Sequence, residues 1–207
     1  MKYLRELRYS FYTIFHPFKG FWDIKYEKKG SIAASLTFFA CYVLTAILRE
    51  QFTGYIFNSN YPNMANVFKI ILQSVILFFL WCLSNWCLTT LMDGEGNLRD
   101  ITTAVGYSLV PIIFGNILIT VISNGMTIEE EMFITYIDSI AVLWTGMLLV
   151  FGTLVVHQYS LLKTIFTSIL TIVVMMILVF IGLLCISLIQ QLIDFFDSIY
   201  KEIVYRM

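Results

Sequence analysis

Charge is what this sequence has least of. Asp, Glu, Lys and Arg make up 13% of its 207 residues, against about 25% in a soluble domain. Apolar residues take up the difference at 59%, and mean hydropathy is +0.82. A chain this short leaves much of its surface facing solvent, so the excess cannot fit inside one water-exposed core. The composition excludes a secreted enzyme, a nucleic-acid-binding domain and a disordered linker. Histidine is scarce too. His16 and His157 lie in separate flanking regions, and no HExxH, GxSxG or Walker pattern occurs. No catalytic set, metal site or cofactor is therefore expected. Cys41, Cys82, Cys87 and Cys185 all fall in apolar runs and read as small packing residues.

Charge is missing in blocks. Five charge-free runs cover residues 31–48, 70–92, 101–128, 139–162 and 164–193. A helix of this length crosses a hydrocarbon core of about 30 Å at 1.5 Å per residue. The runs lack the alternation of barrel strands, which leaves helices to satisfy the backbone in lipid. The prediction is an all-α integral membrane protein with spans near 31–49, 68–92, 101–123, 134–157 and 163–190. Residues 1–30 form an interfacial segment, and residues 191–207 an amphipathic extension of the last helix. No cleavable signal pattern precedes the first span, which reads as an uncleaved anchor. Seven of the thirteen basic residues lie in positions 1–29, while the third connection carries Glu129, Glu130 and Glu131. This asymmetry predicts a cytoplasmic N-terminus and, after five spans, an external C-terminus.

Both flanks are amphipathic. Leu4, Leu7, Phe11, Ile14 and Phe15 recur at helical spacing, and Pro17 is expected to end that helix near Phe15. The cations Lys2, Arg5, Arg8, Lys19, Lys25, Lys28 and Lys29 read as contacts to lipid headgroups, each contributing about 1 kcal/mol near an anionic surface. At the other end Ile189, Leu192, Ile193, Phe196, Ile199, Tyr200 and Ile203 form an apolar stripe that suits lipid or a partner subunit.

Inside the spans ionisable groups are few, and any such group is a functional candidate. Asp138 reads first as a helix-end carboxylate and second as an ion site; His157 reads as an interfacial hydrogen-bonder. Gln73, Ser74, Asn85, Asn116 and Thr145 are expected to bond between helices. Gly94-Glu95-Gly96 reads as a tight turn before a helix capped by Asn97 or Asp100. In the third span Pro111 predicts a kink, and Ala104 and Ser108 form a small-xxx-small pair for close helix approach.

Three segments together resemble a known family. Gly106-Tyr107-Ser108-Leu109-Val110-Pro111 resembles the third-span signature of the Yip family of five-span membrane proteins. The loop Asp93–Asp100, with Gly94 and Gly96, resembles the loop before that span in bacterial members. So does the opening Pro17-Phe18-Lys19-Gly20-Phe21-Trp22-Asp23-Ile24-Lys25-Tyr26-Glu27. The resemblance implies a five-span fold. Eukaryotic relatives are trafficking factors that contact small GTPases and carry an Asp-Leu-Tyr-Gly-Pro motif, which this sequence lacks. Bacterial relatives are often encoded beside carbohydrate ABC importers, which implies an accessory subunit in the bacterial cell membrane.

The leading expectation is a non-enzymatic scaffold or accessory subunit that docks on another membrane complex, such as the permeases of a carbohydrate ABC importer. The expected partners are membrane lipids and integral membrane proteins, not nucleic acid or metal. A lipid-binding, membrane-organising protein is the alternative. A small channel using Pro111 and Asp138 comes third.

Overall fold

The computed structural model describes residues 2–54, 56–57 and 66–206, apart from the side chains of Lys2 and Arg206. The headgroup role read for Lys2 thus falls outside the described side chains. The described residues are helical and contain no strand. Two short helices come first, α1 (Lys2–Phe15) and α2 (Pro17–Lys25). The spans follow as α3 (Ile32–Phe52), α4 (Val67–Leu91), the pair α5 (Leu98–Ser108) and α6 (Val110–Ile122), α7 (Glu131–His157) and α8 (Leu161–Arg206). Among the described residues, five stretches are long and apolar enough to cross a membrane.

The helix ends follow local chemistry. Pro17 fits the first turn of α2, where its missing N–H costs nothing, and α1 ends at Phe15. Ser31 Oγ accepts from Ala34 N and starts α3, and Asn66 Oδ1 accepts from Lys69 N to start α4. At α5 the Asp100 carboxylate accepts from Asn97 N at 3.3 Å.

The third span is the centre of the bundle, touching α3, α4 and α7. It is also broken. Pro111 offers no N–H to the Tyr107 carbonyl, and the helix is interrupted at Leu109, whose N–H turns back to Gly106 O. Small residues set the spacing around it. A Cβ on Gly106 would fall 2.0 Å from Ser35 Oγ, and one on Gly115 would fall 2.6 Å from Ala141 Cβ. Ala104 faces Gly152 on α7, so half of the small pair makes the close approach its spacing implies.

Polarity is inverted relative to a soluble protein. Ser35, Thr45, Ser74, Ser84, Thr103 and Ser108 are buried, while Leu, Ile and Phe side chains cover the outside. The same inversion holds in α1. Glu6, Ser10 and Thr13 face the bundle, and Leu4, Phe11 and Phe15 point outward. That surface suits lipid.

The last helix continues into its amphipathic extension without a break. It runs unbroken for 46 residues, about 69 Å. No proline or capping glycine occurs near Gln190–Asp194 to stop it, and Asp197–Lys201 adds an i,i+4 ion pair at 2.6 Å. Only its first turns are inserted, with Thr164, Thr167 and Thr171 fully buried. From Val179 to Tyr205 every residue is exposed.

Candidate functional site

Residues of the three family-like segments meet at one end of the bundle. In α2, Phe21 and Ile24 turn inward, and Phe21 lies against Gly152 and Ala104. Lys25 Nζ donates to the Val156 carbonyl oxygen at 2.7 Å and stands 3.9 Å from Glu95. Tyr107 in α5 is fully buried, and its hydroxyl donates to Glu6 O at 3.1 Å, tying α1 to the central span. Ser108 Oγ donates to Ala104 O within its own helix. Two residues stand apart. Trp22 is exposed, its ring tilted against that of Tyr26 at 4.3 Å, and Pro111 lies beyond the break, lining an apolar recess with Phe11 and Phe114.

The glycine loop is shaped by what it must pass. A Cβ on Gly94 would approach His157 Nδ1 to 2.5 Å, and one on Gly96 would approach Val156 Cγ1 to 2.4 Å. His157, the last residue of α7, is buried and hydrogen-bonded through both ring nitrogens. Gly96 N–H donates to Nδ1 at 3.3 Å, so Nε2 carries the proton and donates to Asn85 Oδ1 at 3.2 Å. Asn85 Nδ2 in turn donates to Thr171 Oγ1 at 3.3 Å. This chain joins the loop, α7, α4 and α8.

Asp23 was not visible as a site residue from the sequence. It is buried, and Tyr9 Oη donates to it at 2.5 Å and Lys29 Nζ at 2.9 Å. Burial alone would raise the carboxyl. The Lys29 and Tyr9 hydrogen bonds, with the Lys29 charge, reverse this and hold it below the ordinary carboxylate range. The same bond, with a second to Glu27, holds the Lys29 ammonium above its usual range.

The basic residues divide into groups. Arg5, Arg8 and Lys19 are exposed on α1 and α2. Lys25 and Lys29, both read from the sequence as headgroup contacts, are occupied by protein acceptors. Lys28 sits in the left-handed region with φ of 52°, and its side chain has no partner among the described residues. Beside these groups opens a cavity of about 420 Å³. Lys25, Lys28 and Arg99 line it with Glu6 and Asp100, and Phe21 contributes an apolar wall.

A second polar cluster braces the opposite end. Asp138, read as a helix-end carboxylate, has a partner from another span: Arg49 Nη1 donates to its Oδ1 at 2.6 Å and to Asn116 Oδ1 at 3.1 Å. Asn116 Nδ2 reaches Thr45 Oγ1 at 3.5 Å. Asn85 and Asn116 thus bond between helices. Gln73 is exposed and without a partner among the described residues, and the buried Thr145 Oγ1 also lacks one. Among the described residues no group of three or more His, Cys, Asp or Glu is placed to hold a metal ion.

No curated protein and no solved structure matches the chain. One family model does, the Yip1 domain, over residues 11–183, a stretch that contains the α2 segment, the glycine loop and the broken third span. The chain is an integral membrane protein with several apolar helices and belongs to the Yip1 domain family.

Proposed function

We propose that this chain is a non-enzymatic scaffold subunit that docks on another integral membrane complex, with the permeases of a carbohydrate ABC importer as the partner. The observation that carries the reading is α8, whose residues from Val179 to Tyr205 are all exposed. A helix held only at its base, on a bundle cross-braced at both ends, is built to present a surface. In this reading the basic end lies in the cytoplasm and the tip of α8 outside a bacterial cell membrane, an orientation that the Lys and Arg placement supports.

The test is purification of the tagged full-length chain from native membranes in mild detergent, with mass spectrometry of what accompanies it. Permease subunits are expected with the full chain and not with a chain stopped after Gln190. A lone monomer recovered from cells grown on an importer's sugar overturns the reading. A second reading, a protein that organises lipid, draws on the outward Leu4, Phe11 and Phe15 of α1. Vesicle binding that does not respond to anionic lipid counts against it.

A further inference from the structure

The cavity at the basic end is lined by three cations and two carboxylates, and their partners determine what it can hold. Glu6 is 8% exposed and accepts from Ser31 Oγ at 2.6 Å. Asp100 accepts from Asn97 N in the cap of α5. Lys25 is committed to the Val156 carbonyl. Both carboxylates and one cation are therefore satisfied within the protein. Lys28 and Arg99 are not: each lines the cavity, and neither side chain has a partner among the described residues. Three cations against two carboxylates leave the lining with a net charge of +1, and the two cations without a partner are the ones free to turn to a ligand.

Position narrows the ligand further. The cavity opens where two spans begin: Ser31 and Ile32 at the start of α3 and Arg99 and Asp100 at the start of α5 line it, at the boundary between the charged segments and the charge-free runs, which is the level where headgroups meet acyl chains. Its walls include Phe21 and Val156, so one side is apolar. Two free cations above an apolar wall at that depth match a phosphate oxyanion carried on a hydrophobic molecule.

We propose that this cavity binds the phosphate group of an anionic phospholipid, with Lys28 and Arg99 as its ligands and Lys25 as a positioning residue held by Val156. The site is independent of whether the chain docks on a permease. Lys28, in its left-handed conformation, stands at the turn that brings α2 to the start of α3, so a bound phosphate would also tie α2 to α5.

The experiment is native mass spectrometry of the detergent-purified full-length chain with three probes: dioleoylphosphatidylglycerol, dioleoylglycerol, which lacks the phosphate, and inorganic phosphate. One retained phosphatidylglycerol per chain and no retained dioleoylglycerol are expected. The pair Lys28→Gln with Arg99→Gln should weaken retention roughly 30-fold. Lys28→Arg with Arg99→Lys should restore most of it. The pair Arg5→Gln with Arg8→Gln, which removes the same charge from exposed positions of α1, should lose far less. Equal loss in the two glutamine pairs, or equal retention of dioleoylglycerol, overturns the proposal. Competition by millimolar inorganic phosphate supports phosphate recognition and assigns the ligand to the soluble pool; its absence supports the lipid. Size-exclusion elution and helical circular dichroism matching the wild type establish that each variant is folded.

Discussion

His157 and Asn85, 72 residues apart, share a buried hydrogen bond of 3.2 Å that locks α7 to α4 beneath the glycine loop. His157→Leu leaves Asn85 Oδ1 and Gly96 N–H without their partner, a loss of about 1 kcal/mol. The expected result is a lower midpoint of thermal unfolding in detergent. His157→Leu combined with Asn85→Leu should cost less than the sum of the two single changes, because they disable one interaction.

The glycines separate into crowded and open positions. Gly106→Ala places a methyl 2.0 Å from Ser35 Oγ and forces α3 from α5, at about 1–3 kcal/mol. Gly146→Ala and Gly182→Ala meet nothing within 4 Å. They should leave stability unchanged or raise it by up to about 1 kcal/mol through better helix propensity. Unfolding midpoints of the three single variants check this contrast, and equal losses at all three would contradict it.

Asp138→Asn keeps an oxygen acceptor but removes the negative charge that faces Arg49, in a cluster about one third exposed. Solvent screening limits the cost to about 1 kcal/mol. Exchanging the two charges, Arg49→Asp with Asp138→Arg, should recover part of it, whereas either reversal alone should not. Chemical denaturation of the purified variants gives the comparison.

Asp23 makes stability depend on acid. Its carboxyl is held below the ordinary value in the fold, so the stabilisation is present above that ordinary value and is lost as pH falls toward the folded one. Between about pH 5 and pH 3 the wild-type unfolding midpoint should fall more steeply than that of Asp23→Asn. Parallel slopes would show that Asp23 is not the responsible group.

Much of this architecture is legible from residue order, because lipid imposes simple rules. Charge-free length marks the spans, and Pro111 marks the interruption because it lacks a donor for Tyr107. The family-like segments were legible as strings, but not the reason they belong together. Lys25 and Val156 are 131 residues apart, and their bond exists only once α2 lies over the end of α7. Arg49 and Asp138, at the ends of different spans, gave no sign of pairing for the same reason. The amphipathic reading of α1 found the apolar stripe correctly. Which face turns inward depends on the solvent, and here the polar Glu6, Ser10 and Thr13 are buried against protein beside Leu7 and Ile14, while Leu4, Phe11 and Phe15 stay exposed. The continuity of α8 was open because amphipathic spacing does not say whether a helix bends.

The length of α8 has a mechanical consequence for the bilayer. Its charge-free run, residues 164–193, measures about 45 Å as a helix, whereas a hydrocarbon core measures about 30 Å. The charge-free run at α3, residues 31–48, measures about 27 Å on the same basis and fits that core upright. One membrane therefore cannot suit both helices without deformation. Either α8 leans by roughly 48° from the normal, or the lipids around it stretch while those around α3 do not. The chain thus carries a built-in gradient of hydrophobic thickness, which favours thick membranes on the α8 side and couples the angle of the helix to the lipids surrounding it.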